Sequence, residues 1–264
     1  MEEERKIAIV TGGARGIGKA ISRRLAMSGM TVLIADIQAE TAKETSDELN
    51  REGFDTSAYQ VDLSKTEEIH QMFAFVEKEY GKLDVLVNNA GIQIRCPSVN
   101  FTEENWDKIC SINLKAQWTA CQCAARMMLP RRSGKIICIA SGTATRATSQ
   151  RAPYNITKSA VEGLARALGN EWARYGINVN AVSPGWTGTE MVKDGLKVGI
   201  INEGEIVPMM PIGRFLRPEE IAGTVNFLAS EEAGGIVGQT IYCDGGGSIR
   251  CIPEPEFPLE IENV

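Results

Sequence analysis

The chain has one histidine in 264 residues, His70. It lies in KTEEIHQMFAFVEKEYG, where Ile69, Met72, Phe73 and Val76 recur at helical spacing, and it reads as a residue on that helix's surface. Ser-His-Asp chemistry therefore has a single, badly placed base, and a histidine-based metal site has too few ligands, so no metal is expected. No CxxC pair occurs among the seven cysteines, Cys96, Cys110, Cys121, Cys123, Cys138, Cys243 and Cys251. Their odd number and scattered spacing point to reduced, mostly buried thiols. No apolar run reaches the roughly 18 residues that suggest a membrane helix, so no membrane partner is expected. Positive charge is also short: 28 Lys and Arg against 34 Asp and Glu give a net charge of −6. With no basic run beyond Arg131-Arg132 near a motif, nucleic acid is not an expected partner. The N-terminal MEEERKIAIV is charged and lacks the apolar centre of a secretory leader, which gives a cytoplasmic expectation. No GxxxxGK[ST] is present, which disfavours P-loop phosphoryl transfer.

What the chain does have is a strict alternation. KIAIVTGG, TVLIAD, TSAYQVD, LDVLVNNAG, GKIICIAS, INVNAVSPG and GQTIYCDGG read as seven short strands, most of them nearly all apolar. Helical segments separate them, including a long helix from about Thr102 to Leu129, capped by Thr102, and another from about Ala152 to Tyr175. Strands apolar on both sides belong in a parallel sheet covered on both faces. The expected fold is α/β, a single Rossmann-type, doubly wound, parallel seven-stranded sheet with helices on both faces. The longest irregular connection, from Gly188 to Pro211, reads as a lid.

The first strand-to-helix turn carries TGGARGIG, Thr11 to Gly18. Gly12, Gly16 and Gly18, with Arg15 and Ile17 between them, let the backbone and a helix N-terminus approach a pyrophosphate. Asp36 ends the second strand, 18 residues beyond Gly18. A carboxylate there bonds ribose hydroxyls and repels a 2′-phosphate, which favours NAD over NADP. Ile37 adds no second positive charge, whereas Arg15 pulls weakly the other way. Asp62, followed by Leu63, either meets the adenine edge or simply forms a strand-end turn.

In APYNITK, Tyr154 and Lys158 stand four apart on one helix face, just after Pro153 in the first turn. Such a pair is either a phenol beside the cation that acidifies it, or a core tyrosine and a solvated lysine. The ordered set decides between them. TGGARGIG, NNAG at Asn88 to Gly91, Asn113, Ser141, Tyr154-xxx-Lys158 and Pro184-Gly185 together resemble the short-chain dehydrogenase/reductase family, over about Lys6 to Gly247. The resemblance implies an NAD-binding catalytic domain over residues 1–250, followed by a Pro-rich acidic tail over residues 251–264. It implies hydride transfer between a secondary alcohol and nicotinamide, with Tyr154 as the acid–base. A free phenol titrates near 10, so work near pH 7 needs about 4 kcal/mol of stabilisation. Lys158 and the oxidised nicotinamide would supply it. Ser141 would hold the substrate oxygen, and Asn113 a water that relays protons to Lys158. Asn89, Gly91, Pro184, Gly185, Thr187 and Thr189 would line the cofactor, Thr187 through its backbone.

Three arginines bear on the substrate. Arg95 follows NNAG closely, and Arg146 and Arg151 lie between Ser141 and Tyr154. Arg95 and Arg151 read as substrate contacts for an anion, because guanidinium pairs bidentately with carboxylate, while Arg146 reads as a surface residue. NNAGIQIR resembles the sugar-acid members of the family, the gluconate 5-dehydrogenases, so a sugar acid or polyol is expected. A 3-oxoacyl thioester and a hydroxysteroid stand as alternatives, the latter suited by Ile92, Ile94, Trp186 and Met191. A nucleotide-sensing protein without catalysis would not need the Asn113, Ser141, Tyr154 and Lys158 set. The family's paired-helix interface and the apolar WTACQCAARMML give a homotetramer as the expected assembly.

Overall fold

The computed structural model describes residues 5–251. Its strands are β1 (Ile7–Thr11), β2 (Thr31–Asp36), β3 (Thr56–Gln60), β4 (Val85–Asn88), β5 (Gly134–Ile139), β6 (Ile177–Pro184) and β7 (Thr240–Cys243). They form one sheet in the order β3-β2-β1-β4-β5-β6-β7, and every pairing is parallel. The helices are α1 (Gly16–Met27), α2 (Ala39–Arg51), α3 (Thr66–Tyr80), α4 (Glu103–Cys110), α5 (Ala116–Met128), α6 (Ala152–Trp172), α7 (Glu190–Lys197), α8 (Glu203–Ile206) and α9 (Pro218–Ala229).

The period of two along each strand divides the core in two. Ile7 and Ile9 of β1 and Leu33 of β2 point to the face covered by α3, α5 and α6, where they meet Met72, Ala124 and Val161. Ala8, Val10 and Ile34 point to the other face and meet Ile21 and Leu25 of α1, Leu49 of α2 and Val225 of α9. Both faces are dry, so truncating a fully buried residue such as Ile9 or Leu25 to Ala costs about 2–5 kcal/mol.

Two connections differ from the sequence reading. The long helix is interrupted: between α4 and α5 the chain makes one wide π-helical turn, Ser111–Lys115. Thr102 caps its start as expected, accepting from the backbone N–H of Asn105 at 3.2 Å. The stretch from Gly188 to Pro211 is not irregular. It folds into α7, α8 and a short 3₁₀ turn, Val207–Met209, because Thr189 and Asn202 cap the two helices. The expected C-terminal tail lies, beyond Cys251, outside the described residues.

Candidate active site

β1 pairs with β2 on one side and with β4 on the other. The chain after β1 turns to one face of the sheet and the chain after β4 to the opposite face, which opens a crevice at their carboxyl ends. The glycine turn lines it. Gly12 and Gly16 have φ of +61° and +55°, the left-handed region that favours glycine. A side chain on Gly18 would bring its Cβ to 1.9 Å from the Gly12 carbonyl oxygen, so helix and turn fit only without one. The first turn of α1 has no side-chain cap and no acid, which leaves its backbone N–H groups for an anion. Arg15 is exposed beside it and Ile17 half-buried. Asn89 braces the turn by donating its amide to the carbonyls of Thr11 and Gly12, both at 2.9 Å.

Asp36 is buried at the crevice edge. Its carboxylate accepts from the backbone N–H groups of Ala14 at 3.2 Å and Gln38 at 3.0 Å, and Ile37 beside it is exposed. Asp62 forms a strand-end turn. It accepts from the hydroxyl and the N–H of Ser64, and the hydroxyl bond holds it below the usual carboxylate range. Leu63 packs on the core. Across the crevice, Pro184 and Gly185 end β6. Thr187 is buried, its hydroxyl donating to the Gly185 carbonyl at 3.0 Å, so only its backbone is open to a ligand. Thr189 faces Gly16, where an added Cβ would lie 3.4 Å from the Thr189 methyl. Uncapped N–H groups, a cradle that side chains would fill and a fixed carboxylate at its end fit a dinucleotide.

The catalytic candidates gather at the ends of β4, β5 and β6. Ser141, two residues beyond β5, opens a 3₁₀ turn, Gly142–Ala144. Its Oγ accepts from both the N–H and the hydroxyl of Thr143, at 3.2 and 3.0 Å. Its own hydrogen is thereby left to donate. Tyr154 is half-buried. Burial pushes its phenol up, while Ser141 and the charge of Arg151 pull it back. Lys158 is buried, and its Nζ donates to the Ile139 carbonyl at 2.7 Å and stands 5.8 Å from the centre of the Tyr154 ring. Burial pushes its ammonium down to about 8. Arg151 is thus a second cation acting on the Tyr154 phenol, beside Lys158 at the ring.

Asn113 sits in the π turn and is wholly buried. Its Oδ1 accepts from the Ile92 N–H at 2.8 Å, and its Nδ2 donates to the Ile92 carbonyl at 2.9 Å and to Thr157 Oγ1 at 3.2 Å. Both amide hydrogens are thus committed, and the side chain clamps the loop leaving β4. Gly91 lies against this clamp, since an added Cβ would stand 3.3 Å from Asn113 Oδ1 and 3.4 Å from Lys158 Nζ.

Arg95 and Arg151 come together. The loop carrying Arg95 is tied to the loop before α6 by the Cys96 N–H donating to the Gln150 carbonyl at 2.9 Å. Arg151 is half-buried, its guanidinium 5.6 Å from the centre of the Trp186 ring and its Nε buried without a partner among the described residues. Burial, then the charge of Arg95, lowers the Arg151 guanidinium. Among the described residues no carboxylate pairs with either arginine. Arg146 is a different case from the sequence reading: it is half-buried and donates to the Gly247 carbonyl. Sequence reasoning missed Thr143, which aims Ser141, and the stacking of Trp186 on Arg151. The run Ser141-Gly142-Thr143, a hydroxyl pair in an ST turn, is the signal that pointed to the first.

The chain matches the family model described as enoyl-(acyl carrier protein) reductase over residues 12–248. It is 37% identical over 245 residues to an NAD-dependent glycerol dehydrogenase of Listeria innocua, covering 93% of this chain and 94% of that one. It is 34% identical over 243 residues to a 3-oxoacyl-acyl-carrier-protein reductase of Synechocystis, covering 91% and 96%. The crystal structure of a gluconate 5-dehydrogenase from Burkholderia cenocepacia, in complex with NADP and tartrate, matches with a TM-score of 0.88 at 33% identity, covering 94% of this chain and 97% of that one. The likeness thus spans nearly the whole molecule in sequence and in fold, and the chain belongs to the short-chain dehydrogenase/reductase family, as an oxidoreductase acting on CH–OH groups.

Proposed function

We propose that this enzyme is an NAD(H)-dependent dehydrogenase of a secondary alcohol that carries a carboxylate, as a sugar acid does. The observation that carries this reading is the pair Arg95 and Arg151, two guanidiniums without a carboxylate partner among the described residues, with Arg151 acting on Tyr154. Two like charges left unneutralised side by side favour an anion between them. The name of the Burkholderia relative, and the tartrate in its structure, fit the same class.

In the oxidative direction Tyr154 takes the substrate hydroxyl proton. Ser141, aimed by Thr143, donates its one hydrogen to the substrate oxygen. Lys158 stabilises the charge over the ring, and Asn113 holds the loop after β4 so that Arg95 meets the substrate. A bound nicotinamide would take or give the hydride and, when oxidised, add a positive charge near Tyr154. Gly12, Arg15, Gly16, Ile17 and Gly18 would hold its phosphates, and Asp36 with Ile37, Asp62 and Leu63 the adenosine end. Asn89, Gly91, Lys158 and the run Pro184 to Thr189 would hold the nicotinamide end. Asp36 supports NAD, whose free 2′-hydroxyl accepts a carboxylate neighbour. Seven unpaired thiols support a cytoplasmic protein, and a partly exposed Trp118 beside Leu114 and Leu164 supports a homotetramer.

The test compares a sugar acid with its neutral polyol. A charge-assisted hydrogen bond contributes about 1.5–3 kcal/mol. Arg95→Ala should therefore lower kcat/KM for the acid about 10- to 150-fold and leave the polyol unchanged. Tyr154→Phe, the control, should lose at least about 100-fold on both, because the proton acceptor is gone. An equal Arg95→Ala loss on acid and polyol would refute the carboxylate reading and favour a neutral polyol, the class of the Listeria relative.

A further inference from the structure

Trp186 stands where the chain leaves β6 for α7, and it is fixed at both backbone and side chain. Its carbonyl accepts from the Leu216 N–H at 2.9 Å, and the Leu216 carbonyl accepts from the Gly188 N–H at 2.8 Å, with Thr187 and Leu216 paired as a parallel bridge. The segment that holds α7 and α8 is thus pinned at its base. The indole packs against the core on the side of α1 and α9, with the Phe215 ring 6.4 Å away, centre to centre. Over its face lies the guanidinium of Arg151, 5.6 Å from the ring centre.

Arg151 is aimed from its own backbone as well. Gln150, just before it, has a φ of +61°, a conformation that residues other than glycine rarely adopt. The Gln150 carbonyl is held by the Cys96 N–H at 2.9 Å, so Arg95 and Arg151 each stand next to one end of the same hydrogen bond. Arg151 then starts α6, its carbonyl accepting from the Asn155 N–H at 2.9 Å. A rare backbone conformation kept in place by its surroundings marks functional positions. The Nε of Arg151 is buried with no partner among the described residues.

An aromatic partner has a chemical consequence here. A guanidinium bonds carboxylates through the N–H groups along its edge and an aromatic ring through its face. A carboxylate of the protein would hold Arg151 and consume those donors. Trp186 holds it and leaves them unspent.

We propose that Trp186 is a positioning residue that sets the preference for an acidic substrate: its indole face holds the Arg151 guanidinium with the N–H edge open to the substrate carboxylate. This rests on the reading of the substrate as an alcohol that carries a carboxylate.

The readout is the ratio of kcat/KM for the sugar acid to kcat/KM for the matching polyol, because a general loosening of the site lowers both and leaves the ratio alone. Trp186→Leu keeps an apolar side chain and removes the ring face. The ratio should fall about 2- to 30-fold, the range of a cation–π contact expressed as a rate ratio. Trp186→Phe, which retains a smaller face, should fall between leucine and the wild type. In an Arg151→Met background neither substitution should change the ratio further, because the ring acts through the guanidinium. A leucine ratio equal to that of the wild type, or an equal drop with and without Arg151, overturns the proposal. Should the leucine protein not fold, the phenylalanine protein carries the same two comparisons. Arg95→Ala separates failure of the proposal from failure of the reading beneath it. If Arg95→Ala lowers the ratio and Trp186→Leu does not, Trp186 alone loses its role. If Arg95→Ala leaves the ratio unchanged, the carboxylate reading falls and this proposal with it.

Discussion

The Asp36 carboxylate accepts from Ala14 and Gln38, so the residue that selects the nucleotide also braces the glycine turn that holds it. Replacing Asp36 with Ala and Ile37 with Arg should remove the repulsion of a 2′-phosphate, supply it a partner and turn preference toward NADP. The same change leaves two backbone N–H groups without their acceptor, a loss of about 1–3 kcal/mol for each that stays dry. Its thermal midpoint should fall by a few degrees, at about 2–4 °C per kcal/mol. Kinetics with the two nucleotides and a thermal melt check both halves, and a wild type that prefers NADP would overturn the role of Asp36. Individual residues were legible in the sequence where one local spacing carries the chemistry. Tyr154 and Lys158 stand one helical turn apart, and Asp36 ends a strand. What stayed hidden was long-range. Nothing local says that Arg151 stacks on Trp186 or that Arg146 reaches Gly247.

The π turn between α4 and α5 shows what a single widened turn does for a site. It faces Asn113 toward the loop leaving β4, where the amide takes both the N–H and the carbonyl of Ile92. Asn113→Ala would strand both backbone groups, at about 1–3 kcal/mol each. The melting point should drop by several degrees, and KM for an acidic substrate should rise, because Arg95 follows Ile92 by three residues. Asn113→Asp keeps the acceptor for the Ile92 N–H and loses the two donors, so it should fall between the wild type and alanine. A melt and a KM unchanged in Asn113→Ala would show that the clamp contributes nothing. The seven strands were readable because β-branched and aliphatic runs bounded by Gly and Asn have few other uses. The π turn was not, since an Asn amid a long helical period looks the same with or without an inserted residue. The helices α7 and α8 were hidden by their own glycines and by brevity, which leaves no period to count.

At the scale of the molecule, α4, the π turn, α5 and α6 leave an open groove of about 630 Å³ lined by Cys110, Leu114, Trp118 and Leu164, on helices that the family pairs between subunits. Trp118 is 44% exposed and Trp106 41%, much apolar surface for a monomer to leave in water. Light scattering at micromolar concentration should give four chains, and Trp118→Glu should break them into smaller species. A wild-type monomer would refute the assembly. The order of the sheet has a further consequence, for inheritance. Residues proposed to choose the nucleotide lie before Val61, and those proposed to choose the alcohol lie after Val85. The gene thus carries the two choices on separate stretches, with α3 between them. A recombination inside α3 would hand a new substrate preference to an unchanged nucleotide half. The offspring would need to agree along the seam where Ala8 meets Val85 and Asn89 braces Thr11, where α1 packs on α9, and where Thr189 faces Gly16. New enzymes of this kind can arise by exchange between relatives, without rebuilding either half one side chain at a time.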